Sequence, residues 1–371
     1  MNAQLNAKEF RVAEMPGDGI GIEVMEAAKA VLAALSARVG GYTLALEFAP
    51  AGAMHYRATG TALPDASVRA AQKADAVLLG AMGWPAIRYP DGREIAPQVD
   101  LRNILDLYAG VRPFRAIPGV RPTLADPRAA QIDFVILRES TEGLFALRNE
   151  GRVIEDREAR ETLVITRRVS ERLFDFAFRL AEKRKSRGGK GMVTCVDKAN
   201  VFRAFAFFRK IFDERARKFP HIKPHHRYID AVALDLVLRP WEYDVMATEN
   251  QFGDIISDLA AGLIGGMGMA PSADIGDTHA VFQPSHGTAP DIAGQGVANP
   301  TAMFLSAALM LDWLGERHGV EACSTAAQVL ERAVDAAYAG GALRPCEIGG
   351  RDGTSAITRA VIEKIGTVKA D

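Results

Sequence analysis

The chain is 371 residues long, 48% hydrophobic and 25% charged, a globular composition with room for two ordinary domains and unlike that of a disordered segment. Lysine and arginine number 45 against 46 aspartates and glutamates, so a net charge of −1 supplies no field to recruit nucleic acid or an anionic membrane. Three cysteines, Cys195, Cys323 and Cys346, are an odd number without a C-x-x-C pair, which argues against a disulfide framework or a zinc site and suits a reducing, cytoplasmic setting.

Met1 to Phe10 carries Lys8 and Glu9 and no apolar run, so no signal peptide is expected there. Phe10–Met15 reads as a strand broken by Pro16-Gly17-Asp18-Gly19, and Val24, Met25, Ala28, Val31, Leu32 and Leu35 follow at helical spacing. Further strands are expected at Leu44–Phe48, Ala76–Gly80, Phe134–Leu137, Leu163–Thr166, Met192–Cys195 and Val245–Thr248. Strands alternating with helical patterns predict an α/β fold with a largely parallel sheet. Glu150 to Glu161, with charges of both signs, reads as an exposed hairpin or arm. The basic run Lys183–Lys190 falls where a helix should end, so it reads as a solvated turn rather than a nucleic-acid patch. Ile292 to Leu311 is uncharged, but only Thr301–Leu311 is apolar and helical, too short to span a bilayer.

Several clusters invite a chemical reading. Gly17-Asp18-Gly19-Ile20-Gly21 lacks the third glycine of the dinucleotide fingerprint, because residue 22 is Ile, so a tight turn into a helix explains it and an ordinary Rossmann site is rejected. Asp254 and Asp258 project from one helical face, where a hard divalent cation would relieve their repulsion; the alternative is that acidic residues simply favour a helix's first turn. The loop from Phe282 to Pro300 is long and punctuated by Gly and Pro, and His286, Asp291 and Asn299 offer it polar groups for a ligand. Arg102, Arg112 and Arg138 each end an apolar element; together they could clamp a small diacid, and singly each reads as an ion-pair partner. Lys198 is either a buried base or the partner of Asp197. His221, His225 and His226 have near-ligand spacing, but no Cys or carboxylate completes a set.

Taken together, Val196-Asp197-Lys198-Ala199-Asn200-Val201, Phe252-Gly253-Asp254-Ile255-Ile256-Ser257-Asp258 and the run His286 to Gly294 resemble the β-decarboxylating dehydrogenases: isopropylmalate, isocitrate, homoisocitrate, tartrate and D-malate dehydrogenases. The likeness runs from Pro16 to Thr354. It implies the two-domain isopropylmalate-dehydrogenase-like α/β fold, with residues 1–107 and 265–371 forming a cofactor domain. Residues 108–264 would form a dimer and substrate domain with a short arm near 145–165. It further implies Asp230, Asp254 and Asp258 as carboxylates for Mg²⁺ or Mn²⁺, and Arg102, Arg112 and Arg138 as the substrate clamp. Lys198 and Asp230 become catalytic, contributed across a homodimer whose subunits share the active site. His286, Gly287, Asp291, Ile292, Asn299 and Asn200 would hold NAD.

In that scheme a hydride leaves the substrate's alcohol for the nicotinamide, and the resulting β-keto acid loses CO₂ while a metal stabilises the developing charge. Asp291-Ile292 stands where NADP-using isocitrate dehydrogenases carry Lys-Tyr, which implies NAD. Two departures stand out: Phe145 replaces a proton-donating tyrosine, and Gln283 replaces the usual glutamate of a Glu-Pro-Val-His-Gly run. Gln98 and Val99 fall where isopropylmalate enzymes carry two leucines, and Ala96 falls where bacterial isocitrate enzymes carry a serine. The expected activity is NAD- and metal-dependent oxidation with decarboxylation of a malate-type 2-hydroxy diacid, most nearly 3-isopropylmalate-like. Tartrate or D-malate dehydrogenase, then isocitrate or homoisocitrate dehydrogenase, then a non-catalytic regulatory subunit are the alternatives. The retained aspartates, Lys198 and arginines weigh against the last.

Overall fold

The computed structural model describes residues 7–369; Met1–Asn6, on which most of the signal-peptide reading rests, lie outside the described residues. Ten strands form one mixed, mostly parallel sheet: β1 (Lys8–Gly17), β2 (Tyr42–Phe48), β3 (Ala76–Ala81), β4 (Ala109–Arg115), β5 (Asp133–Glu139), β8 (Met192–Asp197), β9 (Lys223–Tyr228), β10 (Val245–Thr248), β11 (Pro271–Ile275) and β12 (Ala280–Pro284). A separate hairpin of β6 (Arg152–Ile154) and β7 (Glu158–Arg160) occupies the mixed-charge segment, fully exposed. The order in the large sheet is β2-β1-β3-β12-β11-β4-β5-β10-β8-β9. The outer pairs are parallel, whereas β12, β11, β4 and β5 are joined by antiparallel ladders. Two parallel wings therefore meet at an antiparallel centre, and this topology differs from the ordinary doubly wound Rossmann sheet.

Burial explains which strands sequence patterns find. All six residues of β3, Ala-Val-Leu-Leu-Gly-Ala, are buried, as helices on both faces require. β9 reads Lys-Pro-His-His-Arg-Tyr because it is an edge strand open to water, and so it carries no hydrophobic signature. β4, β11 and β12 also escaped the sequence reading; each is short or carries proline. The expected strand Leu163–Thr166 is corrected. Val164 makes a single bridge to Gly143, and Thr166 is the N-cap of helix Arg167–Ser186, its hydroxyl accepting from Val169 N at 3.3 Å.

At the end of that helix the basic run is spent on ion pairs and carbonyls. Arg184 meets Asp244 at 2.6 Å, Lys183 meets Asp312 at 2.8 Å, and Lys190 Nζ donates to Tyr243 O at 2.9 Å. The three histidines do not converge. His221 pairs with Glu182, His226 with Asp213 at 2.7 Å, and His225 faces Thr194 Oγ1 at 3.2 Å. Helix Thr301–His318 is largely buried against β11 and β12; among the described residues no helix is long and apolar enough to cross a membrane.

The glycine turn after β1 proves to be a packing device. Gly17 has φ +74°, and a Cβ there would lie 1.9 Å from the Ala81 carbonyl oxygen, so the turn rests directly on the end of β3. Asp18 inside it is fully buried, and its carboxylate accepts from the backbone N–H groups of Ala53, Met54 and Gly83 at 2.7, 2.8 and 2.9 Å. Two segments, the start of helix Ala53–Thr59 and the loop after β3, are thereby tied to one side chain at the rim of the sheet. The same turn donates the Ile20 N–H to the Thr288 carbonyl at 2.9 Å, which anchors the long loop after β12.

Candidate active site

Where β3 and β12 end, helix Pro97–Ile104 closes a cavity of about 160 Å³. Its walls include Gln98, Arg102, Arg112, Gln283, His286 and Gly287, so side chains expected to bind substrate and side chains expected to bind cofactor face one space. Val99 is half-buried on the same helix but does not line the cavity. Gln98 Oε1 is buried with no hydrogen-bond partner, and its Nε2 reaches only the Met82 carbonyl, at 3.5 Å. His286 Nδ1 lies 2.9 Å from the Gly287 carbonyl while Nε2 is buried and unpartnered; burial pulls its pKa down, which favours the neutral ring at pH 7. A larger open groove of about 580 Å³ follows helix Arg203–Ala216 and holds none of the expected site residues.

The three arginines are buried side by side, Arg102 on Asp274 and the other two sharing Asp254. Arg102 Nε donates to Asp274 Oδ2 at 3.0 Å. Arg112 Nη1 donates to Ser257 Oγ at 2.5 Å, its Nη2 is 3.7 Å from Asp254, and its buried Nε has no partner. Arg138 donates through Nε and Nη2 to Asn250 Oδ1 at 2.9 and 2.6 Å, and its Nη1 pairs with Asp254. The Phe145 ring lies 5.4 Å from the Arg138 guanidinium, a cation–π contact. Burial, then the neighbouring Arg112 and Arg102, lower Arg138 to about 9; burial and Arg102 lower Arg112 as well. Both stay cationic at neutral pH. Three desolvated cations this close favour any anion that enters between them.

Asp254 and Asp258 ride on helix Asn250–Leu263, capped by Glu249, which accepts from Gln251 N and Phe252 N at 3.0 and 2.7 Å. Gly253 has a packing reason to be glycine: a Cβ there would lie 2.7 Å from the Arg138 Cβ, so its absence lets the helix sit close enough for Asp254 to reach Arg138 and Arg112. Partial burial raises the Asp258 pKa and the Asp254 charge adds to it, opposed by Arg112 and Arg138. Among the described residues no three His, Cys, Asp or Glu side chains of this chain converge into a metal-holding set. Asp230 instead pairs with Lys198, its carboxyl held below the usual range by that ammonium, and the pair is partly exposed. The alternative partner for Lys198 is thereby decided: Asp197 is buried and accepts from Arg209 Nε and Nη2 at 2.8 and 2.7 Å and from Ala199 N at 2.8 Å.

The remaining expected cofactor residues are dispersed. Asn200 is exposed in the turn after β8, Asp291 is exposed on the long loop, and Ile292 is half-buried against the core. Asn299 is buried, its Oδ1 accepting from Thr301 N and Oγ1 and its Nδ2 donating to Glu347 at 2.9 Å. Sequence reasoning missed Asp274, Ser140, Asn250 and Ser257. Asp274 becomes a site residue only because β11 inserts between β12 and β4, a pairing across long sequence separation with no local signature. Gly110 beside it could have been a signal, since a Cβ there would lie 2.6 Å from Ser140 Oγ.

Residues 11–365 match the sequence profile of isocitrate/isopropylmalate dehydrogenase. The chain is 42% identical to the 3-isopropylmalate/3-methylmalate dehydrogenase of Methanocaldococcus jannaschii over 360 residues, 96% of this chain and 98% of that protein. It is 42% identical to the isocitrate/homoisocitrate dehydrogenase of Thermus thermophilus over 361 residues, again 96% and 98% of the two chains. Among solved structures, isocitrate dehydrogenase from Methylococcus capsulatus superposes with a TM-score of 0.84 at 34% identity, covering 96% of this chain and all of that one.

Proposed function

This chain belongs to the isocitrate/isopropylmalate dehydrogenase family, and from that premise we propose that it oxidises and decarboxylates a malate-type 2-hydroxy diacid with NAD and Mg²⁺ or Mn²⁺. The observation that carries the reading is the cavity where Gln98, Arg102 and Arg112 face His286 and Gly287. The arrangement suits both cofactors. Gly287 opens onto free space and His286 Nε2 is an unpartnered buried atom beside it, while Asp254 and Asp258 offer hard oxygens whose repulsion a divalent cation relieves. When bound, the nicotinamide supplies a hydride acceptor and the metal a Lewis acid.

The chain's own residues supply the rest. Arg102, Arg112 and Arg138 hold the two carboxylates in register. Lys198 Nζ assists removal of the hydroxyl proton, and Asp230, its partner, keeps it oriented. Because Lys198 and Asp230 sit apart from Asp254 within one chain, we read the working unit as a homodimer in which one subunit lends that pair to the other. Leu234, Val237, Leu238 and Ile255 are large exposed apolar side chains on the helices that carry Asp230 and Asp254, which supports a second copy covering them. The return of β12 to β3 supports residues 1–107 with 265–371 as the cofactor unit and 108–264 as the dimer unit. Three unpaired cysteines suit the cytoplasm.

Identity does not choose the substrate, since relatives of both types match equally well. The pocket residues do more. No cation stands at Gln98 or Val99 to meet a third carboxylate, and Gln98 Oε1 asks for a hydrogen-bond donor. A small or partly polar 3-substituent fits, and the unpartnered Oε1 favours a tartrate-like substrate as the second reading. An NADH absorbance assay over D-malate, tartrate, 3-methylmalate, 3-isopropylmalate, isocitrate and homoisocitrate should find a smaller diacid oxidised at least as well as isopropylmalate. A pocket of this kind discriminates by only ~1–3 kcal/mol per leucine-sized change, so isopropylmalate leading by several orders of magnitude would sink the pocket argument. In the same assay Phe145→Tyr should raise steady turnover by restoring a proton donor while single-turnover hydride transfer stays nearly unchanged; no change in turnover would show that Phe145 does not limit the reaction.

A further inference from the structure

Asp274 is the counter-charge of Arg102, and its carboxylate is shared. Oδ2 accepts from Arg102 Nε at 3.0 Å and from Gln283 Nε2 at 2.9 Å, and Oδ1 accepts from Ser140 Oγ at 3.0 Å. All of these are nearly sealed from water, Asp274 at 2% exposure, Arg102 at 7% and Gln283 at 8%. The β11–β12 register sets Gln283 opposite Ser272, so Asp274 is its diagonal neighbour on the same face of the sheet. Gln283 also forms part of the cavity wall with Arg102 and Arg112. Besides Arg102, the ionisable side chains on that wall are Arg112 and His286, and from helix Thr301–His318 Ser306 Oγ reaches the Gln283 carbonyl at 2.8 Å.

The chemistry of residue 283 decides the charge of this corner. Arg102, Arg112 and Arg138 stand against Asp254, Asp258 and Asp274, and Lys198 cancels Asp230, so the site is balanced before a diacid and a divalent cation arrive. A carboxylate at 283 would face Asp274 at hydrogen-bond distance inside a buried wall. Two such groups do not both ionise without strain: one takes a proton, or both compete for Arg102. A neutral amide avoids the conflict because it can only donate to Asp274 through Nε2.

We infer that Gln283 is a positioning residue that holds the Asp274 carboxylate turned onto Arg102, leaving the rest of the Arg102 charge for a substrate carboxylate. This inference rests on the diacid site proposed above. Its test uses Gln283→Glu and Gln283→Met in the full-length protein with Mg²⁺, D-malate binding being read by titration calorimetry and melting temperature by scanning fluorimetry. At about pH 8 Gln283→Glu should bind D-malate roughly tenfold or more weakly than the wild type, and the ratio should shrink toward one as the pH falls to about 6 and the new carboxyl takes up a proton.

The melting temperature should follow the same course. The new carboxyl's folded pKa is raised, so its penalty is absent below the unfolded pKa and full above the folded one. Gln283→Glu should therefore fall further behind the wild type as pH rises. Gln283→Met, of similar length but without the amide, should bind several-fold more weakly at every pH. Either a binding ratio or a melting difference of Gln283→Glu that stays flat across that range overturns the inference. If Gln283→Glu does not fold, Gln283→Met decides: weaker binding supports the inference, and wild-type affinity overturns it. A wild type that binds no diacid, while the melting difference still grows with pH, counts against the substrate reading and leaves Gln283's role standing.

Discussion

Turnover is expected to fall to background once divalent cations are stripped by a chelator, and to return with Mn²⁺ or Mg²⁺. Asp254 and Asp258 lie one turn apart on helix Asn250–Leu263, and the raised pKa of Asp258 reflects partial burial together with the Asp254 charge. Hard oxygens held under that repulsion select a hard cation of the Mg²⁺ or Mn²⁺ type. Asp254 is also the partner of both Arg138 and Arg112, so Asp254→Asn should weaken metal and diacid binding together and bring turnover close to background. Full activity after exhaustive metal removal would refute the mechanism.

The position of Asp230 adds a second arm to that experiment. It pairs with Lys198 rather than with the other two aspartates, so the shared-site reading requires it to act across the dimer. Asp230→Asn and Asp254→Asn should each be inactive alone. Co-refolded in equal amounts, they should recover about a quarter of wild-type activity, because half of the dimers are mixed and each mixed dimer has one intact site. Absence of any recovery would mean that each chain builds its site by itself.

NAD should be preferred to NADP by roughly a hundredfold or more in kcat/KM, since a carboxylate at 291 repels a 2′-phosphate. The Asp291 side chain is exposed on the loop that the glycine turn anchors through Thr288, so its charge stands on a fixed backbone. Asp291→Lys with Ile292→Tyr should reverse part of the preference. Ile292 packs partly against the core, so Asp291→Lys alone is needed to separate the charge effect from repacking. Comparable rates with both cofactors in the unaltered protein would show that Asp291 does not read the ribose.

Residues whose chemistry is local were legible in the sequence. Asp254 and Asp258 were found by helical spacing, and β3 by an unbroken apolar run. Gly17 and Gly19 read as a tight turn into a helix, but what that turn packs against, Ala81 and Thr288, needed three dimensions. What remained hidden was long-range. Asp274 and Ser140 lie on β11 and beside β5, and only the antiparallel centre brings them together next to Arg102; Gln283 stood out as a departure, but its bond to Asp274 did not. β9 was hidden for a different reason: an edge strand facing water has no pattern by which to recognise it.

The strand order also dictates a timetable for the growing polypeptide. β3 leaves the ribosome early, yet the neighbour it needs on one side, β12, begins 280 − 81 = 199 residues after β3 ends. At ~5–20 residues per second of synthesis, that edge waits roughly 10–40 s for its partner. Throughout that interval Ala-Val-Leu-Leu-Gly-Ala, without a single charge, is an open template for any other strand. The strands from β4 to β10 meanwhile find most of their neighbours among themselves, and β4 alone also waits for β11. The nascent protein thus completes its middle before its beginning, and the first hundred residues depend on something else to shield them until the chain returns.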